Sequence, residues 1–151
     1  MTLRLSTKLR DNLAGTTGFA STFANGIIEI RTGTQPATAD AAATGTLLGT
    51  ITLASGAFTP GTATNGLTFA AASGGAVSKS GTWSMVGVAD GTAGWFRLKG
   101  NALDNDSLST TLPRLDGSIA VSSGDMNLSN ISITIGAPTT VDSFTWTQPA
   151  S

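Results

Sequence analysis

The sequence predicts a mainly β protein: an antiparallel β-sandwich or jelly roll of about eight strands, preceded by a short helical N-terminal segment. Three observations carry this. Apolar residues alternate with polar ones at period two in several short runs after residue 26. The runs are separated by clusters of Gly, Thr, Ser and Pro that mark turns. Thr, Ala, Gly and Ser together supply 81 of the 151 residues, and Thr, the commonest at 25, suits a pleated surface through its β-branch.

The helical segment comes first. Leu5, Leu9 and Leu13 recur at helical spacing, with Ser6 or Thr7 placed to cap the start and Gly15 to end the run. Phe19 and Phe23 repeat the spacing, and Asn25-Gly26 stops it. Arg4, Lys8 and Arg10 lie beside this apolar stripe, as a solvated helix face or as an arm that docks on an acidic surface. Residues 1–25 are therefore expected to be an arm and residues 26–151 the sandwich body.

Strands follow in order. Ile28 and Ile30 alternate with Glu29 and Arg31, and residues 33–36 turn the chain. Residues 39–43 suit one helical turn. Leu47, Gly49, Ile51 and Leu53 share one strand face, with Leu48, Thr50 and Thr52 on the other. Leu67 and Phe69 form a short strand. Residues 54–82 hold six glycines and read as loops. Runs 83–88 and 94–99 read as a hairpin joined through Asp90-Gly91, a strong turn pair. Ile131, Ile133 and Ile135, then Phe144 and Trp146, supply the last strands.

Composition excludes whole classes of chemistry. With no His, Cys or Tyr, there is no histidine base, no Cys or Ser–His nucleophile system, no disulfide and no ordinary zinc site. Net charge is −1, which argues against a general nucleic-acid binder. The apolar runs are far too short to span a bilayer, and no apolar stretch follows the basic N-terminus as a secretion signal would require; a soluble chain without membrane partners is expected.

The nine carboxylates mostly sit beside Gly, Asn or Ser. Asp90-Gly91 and Asp116-Gly117 read as turns rather than as a catalytic pair. Asp104-Asn105-Asp106 resembles a calcium loop but lacks the central Gly and terminal Glu, so a plain loop is expected over a cation site. No Gly-Lys pair exists to make a phosphate-binding loop. Trp83, Trp95 and Trp146 lie in apolar runs, which favours burial over an exposed sugar platform; a carbohydrate-binding module remains an alternative.

Four stretches carry a family resemblance: Ile28-Glu-Ile-Arg-Thr-Gly-Thr-Gln-Pro-Ala-Thr-Ala-Asp-Ala-Ala-Ala-Thr-Gly-Thr-Leu-Leu-Gly49, Gly91-Thr-Ala-Gly-Trp-Phe-Arg97, Arg114-Leu-Asp-Gly-Ser118 and Asp142-Ser-Phe-Thr-Trp-Thr-Gln-Pro149. In order and spacing the chain resembles small virion structural proteins of tailed bacteriophages, in particular those that decorate or cement the capsid. The resemblance implies a jelly-roll-like body on the outer surface of the head, as homotrimers bound to the major capsid protein. It implies no catalytic, cofactor or metal residues. A tail- or fibre-associated virion protein is the neighbouring alternative. The residues expected to meet the capsid or a neighbouring protomer are Leu3, Arg4, Leu5, Lys8, Leu9, Arg10, Phe19 and Phe23. On this reading, removing residues 1–25 abolishes head binding and leaves the body folded.

Overall fold

The computed structural model describes residues 3–150. In chain order its elements are β1 (Arg4–Leu5), α1 (Thr7–Ala14), α2 (Phe19–Phe23), β2 (Ile27–Arg31), β3 (Leu47–Leu53), β4 (Thr68–Phe69), β5 (Ala76–Ser80), β6 (Trp83–Val86), β7 (Gly91–Thr92), β8 (Trp95–Lys99), β9 (Arg114–Ala120), β10 (Met126–Leu128), β11 (Ser132–Ile133) and β12 (Pro138–Thr147).

The mainly β character holds, but the sandwich or jelly roll does not. Strands run in the order β9-β8-β2-β3-β6-β12, and β10 then joins β12 back to β9. The sheet thus closes on itself as a seven-stranded barrel. Closure depends on two features that alternation cannot reveal. β10 lies parallel to β9, with Met126 opposite Ile119, and antiparallel to β12. β12 is ten residues long and spends its first part on β6, its middle on β10 and its end on β5. A closed sheet has no exposed edge along the ring; β1 hangs from β9, and β5 and β4 extend from β12.

Register sorts the side chains. Across β2, β8 and β9, Ile28 faces Leu98 and Leu98 faces Leu115; Ile30 faces Phe96 and Phe96 faces Gly117. These rows lie in the core. The alternate rows hold Glu29, Arg97 and Asp116, and Ile27, Lys99 and Arg114. One face of these three strands is therefore apolar and the opposite face ionic.

Gly117 gives room to the side chains packed on it. A Cβ there would lie 2.7 Å from the Phe96 ring and 2.8 Å from Leu3 Cδ2. The Asp116-Gly117 pair is thus mid-strand, not a turn. The expected hairpin also fails: β6 pairs with β3 and β12, whereas β8 pairs with β2 and β9. The Asp90-Gly91 connection crosses between separate parts of the barrel, and Asp90 Oδ1 accepts a 2.8 Å hydrogen bond from the Ile135 amide. Residues 39–43 form a turn closed by Ala41 N–H on Thr38 O, not a helix. Residues 54–82 include β4 and β5 as well as loops. Of Ile131, Ile133 and Ile135, only Ile133 is buried, in the two-residue β11 that pairs with β7.

The N-terminal segment is built into the barrel's core. Ser6 caps α1 by accepting the Leu9 amide at 3.2 Å, and its hydroxyl also accepts the Arg114 amide at 2.9 Å. Leu9, Phe19 and Phe23 join the same buried cluster as Ile28, Phe96 and Phe144. Phe19 stacks on Trp146 at 4.8 Å and meets Phe23 edge-on at 5.0 Å.

Candidate functional site

The ionic face of β2, β8 and β9 gathers eight of the chain's 17 charged side chains into one cluster: Glu29, Arg31, Arg97, Lys99, Asp104, Asp106, Arg114 and Asp116. Four are cations and four are anions, so the cluster is neutral. Strand register supplies six of them; Asp104 and Asp106 arrive on the loop between β8 and β9. Strand alternation explains the placement: in β8, Phe96 and Leu98 point to the core, so Arg97 and Lys99 must share the other face.

The pairing is close. Arg97 Nε and Nη2 each donate at 2.8 Å to the two oxygens of Asp116, and neither side chain has exposed surface. Arg114 holds Asp104 in the same forked manner, from Nε at 2.7 Å and Nη2 at 2.6 Å. Lys99 Nζ donates to Glu29 at 2.8 Å and to Asp106 at 2.9 Å. Arg31 Nη2 donates to Glu29 at 3.0 Å and to Asp106 at 3.1 Å. Planar guanidinium forks suit buried carboxylates, because two parallel bonds fix the geometry while both charges are satisfied.

Further donors of Arg97 and Arg114 fasten two loops over this face. Arg97 and Arg114 donate to the Ala41 carbonyl, and Arg114 also to that of Ser107 at 2.8 Å. The Ala43 amide donates to the Asp106 carbonyl, joining the two loops to each other.

Burial and partners set the acidities. Burial pushes the Asp116 carboxyl above its ordinary value, with Arg97 opposing. For Asp104 burial also pushes upward, but hydrogen bonds from Arg114 and the Asp106 amide outweigh it and hold the carboxyl down. Glu29 is raised, first by burial and then by its contact with Asp106. Asp106, facing Glu29, Lys99 and Arg31, is held down to about 2 against its own burial.

A groove of about 480 Å³ opens beside the cluster. Its floor includes Ile27, Thr50 and Thr52, with Glu29 and Lys99 at one side; Phe58, Val86, Val88 and Leu103 rise around it. Leu103 is 74% exposed and Val88 57%. The charged heads that reach the groove are committed to the ionic cluster, so its accessible surface is mostly apolar and hydroxyl.

The residues expected to contact a partner are placed differently. Leu9, Phe19 and Phe23 are buried in the protein's own core, which corrects their assignment to a partner surface. Leu3 and Leu5 are half-buried and pack against that core. Arg4 donates to the carbonyls of Gln35 and Pro36. Lys8 is half-buried, and Arg10 is exposed and donates to Thr7.

The other chemical candidates also resolve. Asp104 and Asp106 turn their carboxylates to arginine and lysine, and among the described residues no group of carboxylates is arranged to hold a metal ion. All three tryptophans are buried, so none offers a ring for sugar stacking. The ionic face was missed in the sequence, although Glu29, Arg31, Arg97 and Lys99 stand at alternate positions opposite buried apolar residues.

Comparison of the chain with protein-family models, curated proteins and solved structures returns no match to any of them.

Proposed function

We propose that this protein is a non-enzymatic structural component of a tailed-phage virion, which decorates the outer capsid surface and bridges neighbouring subunits of the major capsid protein. The observation that carries the reading is the fate of the ionic cluster. The groups best suited to chemistry spend their hydrogen bonds on one another and on loop carbonyls, so they serve to lock the loops to the barrel. A rigid body with fixed loops suits a protein that works by contact area.

The resemblance supports the same reading. Its four stretches contain most of β2, β3's first residues, β7, part of β8, most of β9 and the end of β12, together with five of the eight cluster residues. The contact face on this proposal is the groove and its apolar rim, Val86, Val88 and Leu103, with a segment of the capsid subunit as occupant. The charges that line the groove, Glu29, Lys99 and Asp104, are already paired within the cluster, so the groove suits an uncharged segment: no unpaired charge is desolvated on docking. Each contact of standard size buries on the order of 1,600 Å². Copies that touch several subunits, as trimers in the resemblance, add avidity.

Titration of the purified protein onto mature heads that lack it tests the proposal. Saturable binding at a fixed number of copies per head, with raised thermal resistance of the head, is the expected result. Absence of binding to heads, or binding to tails alone, overturns it.

A further inference from the structure

The carboxyl groups of Glu29 and Asp106 are clasped by the same two cations. Lys99 Nζ reaches Glu29 Oε1 and Asp106 Oδ2, while Arg31 Nη2 reaches Glu29 Oε2 and the same Asp106 oxygen. Arg97 Nη1 stands 3.5 Å from Asp106 Oδ1. Two carboxylates that share the same two cations repel each other when both are ionised, and a single proton between them turns the repulsion into a hydrogen bond.

The two acids sit on parts of different rigidity. Glu29 is central in β2, paired on both sides by β3 and β8. Asp106 lies in the loop between β8 and β9, at φ 65°. That loop also supplies Leu103 and Asp104 to the groove wall. The Asp106 carbonyl accepts the Ala43 amide at 3.0 Å, so its position also governs the loop before β3.

We propose that Glu29 and Asp106 form a proton-operated latch: in mild acid they share one proton, and the resulting carboxyl–carboxylate hydrogen bond draws the β8–β9 loop onto the barrel and firms the groove wall. Toward neutral pH the proton leaves to solvent, and the loop is held by the cation contacts alone. The groups that face the pair are Arg31 from β2, Arg97 and Lys99 from β8, and Asp104 from the loop itself; Arg114 and Asp116 of β9 lie behind them, and Thr50 of β3, opposite Glu29, is uncharged. Burial and contact with Asp106 raise the pKa of Glu29, as a shared proton requires. The latch goes beyond the virion proposal and stands without it, because every part of it lies within one chain.

Carbon-detected NMR of the side-chain carboxyls, with amide hydrogen exchange corrected for its intrinsic pH dependence, tests the latch on the intact protein. The Glu29 carboxyl should titrate above its ordinary value of 4.5, with the same inflection felt at Asp106. Protection of the Ala43 and Asp106 amides should rise severalfold from about pH 7.5 to about pH 5. In Glu29→Gln that rise should vanish, whereas Asp142→Asn, at an exposed position, should keep it. The wild-type titration needs no variant to fold. Glu29 titrating at or below 4.5, protection that is flat with pH in the wild type, or an undiminished rise in Glu29→Gln would each overturn the latch.

Discussion

Arg97 and Asp116 meet across β8 and β9 through two 2.8 Å hydrogen bonds, and both side chains are wholly buried. A buried ion pair gains little over an apolar pair of similar shape, but breaking one partner strands the other charge. Asp116→Ala should therefore destabilise the fold by about 3–5 kcal/mol. The double variant Arg97→Met/Asp116→Leu should recover most of that loss. Urea unfolding of the two variants and the wild type checks the non-additivity.

Phe19 links the N-terminal segment to the far end of the chain by stacking on Trp146. Phe19→Ala should cost about 3–5 kcal/mol, in the range of buried aromatic truncations. Removal of residues 1–25 takes Leu9, Phe19 and Phe23 from the core together, so the remaining body should lose cooperative thermal unfolding. Calorimetry of the truncated chain distinguishes this outcome from a separable arm.

At Gly117 the core tolerates no Cβ without displacement of Phe96 or Leu3. Gly117→Ala should destabilise by about 1–3 kcal/mol through overpacking. Thermal denaturation measures the loss, and Phe96→Leu in the same chain should relieve part of it.

Stability should peak in mild acid. Glu29 has a raised value in the folded state, so its contribution is full below its ordinary 4.5 and is lost as pH rises through the folded value. Asp116 acts in the same direction. Asp104 and Asp106 have lowered values, so theirs is present above the ordinary 3.8 and lost as pH falls, for Asp106 through about 2. The urea midpoint should thus be higher near about pH 5 than near about pH 8, and should drop again toward about pH 2.5. Glu29→Gln should remove the Glu29 share of the first change.

β2 was legible because Ile28 and Ile30 alternate with Glu29 and Arg31. β3 was legible as a strand but its faces were not, since the register shift at Leu48 puts Leu48 and Ile51 into the same core instead of on opposite faces. β9 was not legible, since Asp116-Gly117 carries the chemistry of a turn. Its Asp is instead neutralised by Arg97, and its Gly makes room for Phe96 and Leu3. Both causes are tertiary. The barrel was hidden for a related reason: closure rests on three-residue β10, whose parallel partner β9 comes from a stretch without strand alternation. Phe19 and Phe23 were correctly placed on a helix, but periodicity says which residues share a face and not what covers it. The groove is not legible in the sequence, because its walls come from loops and strands distant in the chain.

A reconstruction of the intact particle tests the central claim most directly. The account predicts density for a seven-stranded barrel on the outside of the head, in register with the capsid lattice, with the Val86, Val88 and Leu103 rim against a shell subunit. Heads that carry the chain nowhere on their surface, or a barrel bound through the opposite side with this rim open to solvent, would contradict it.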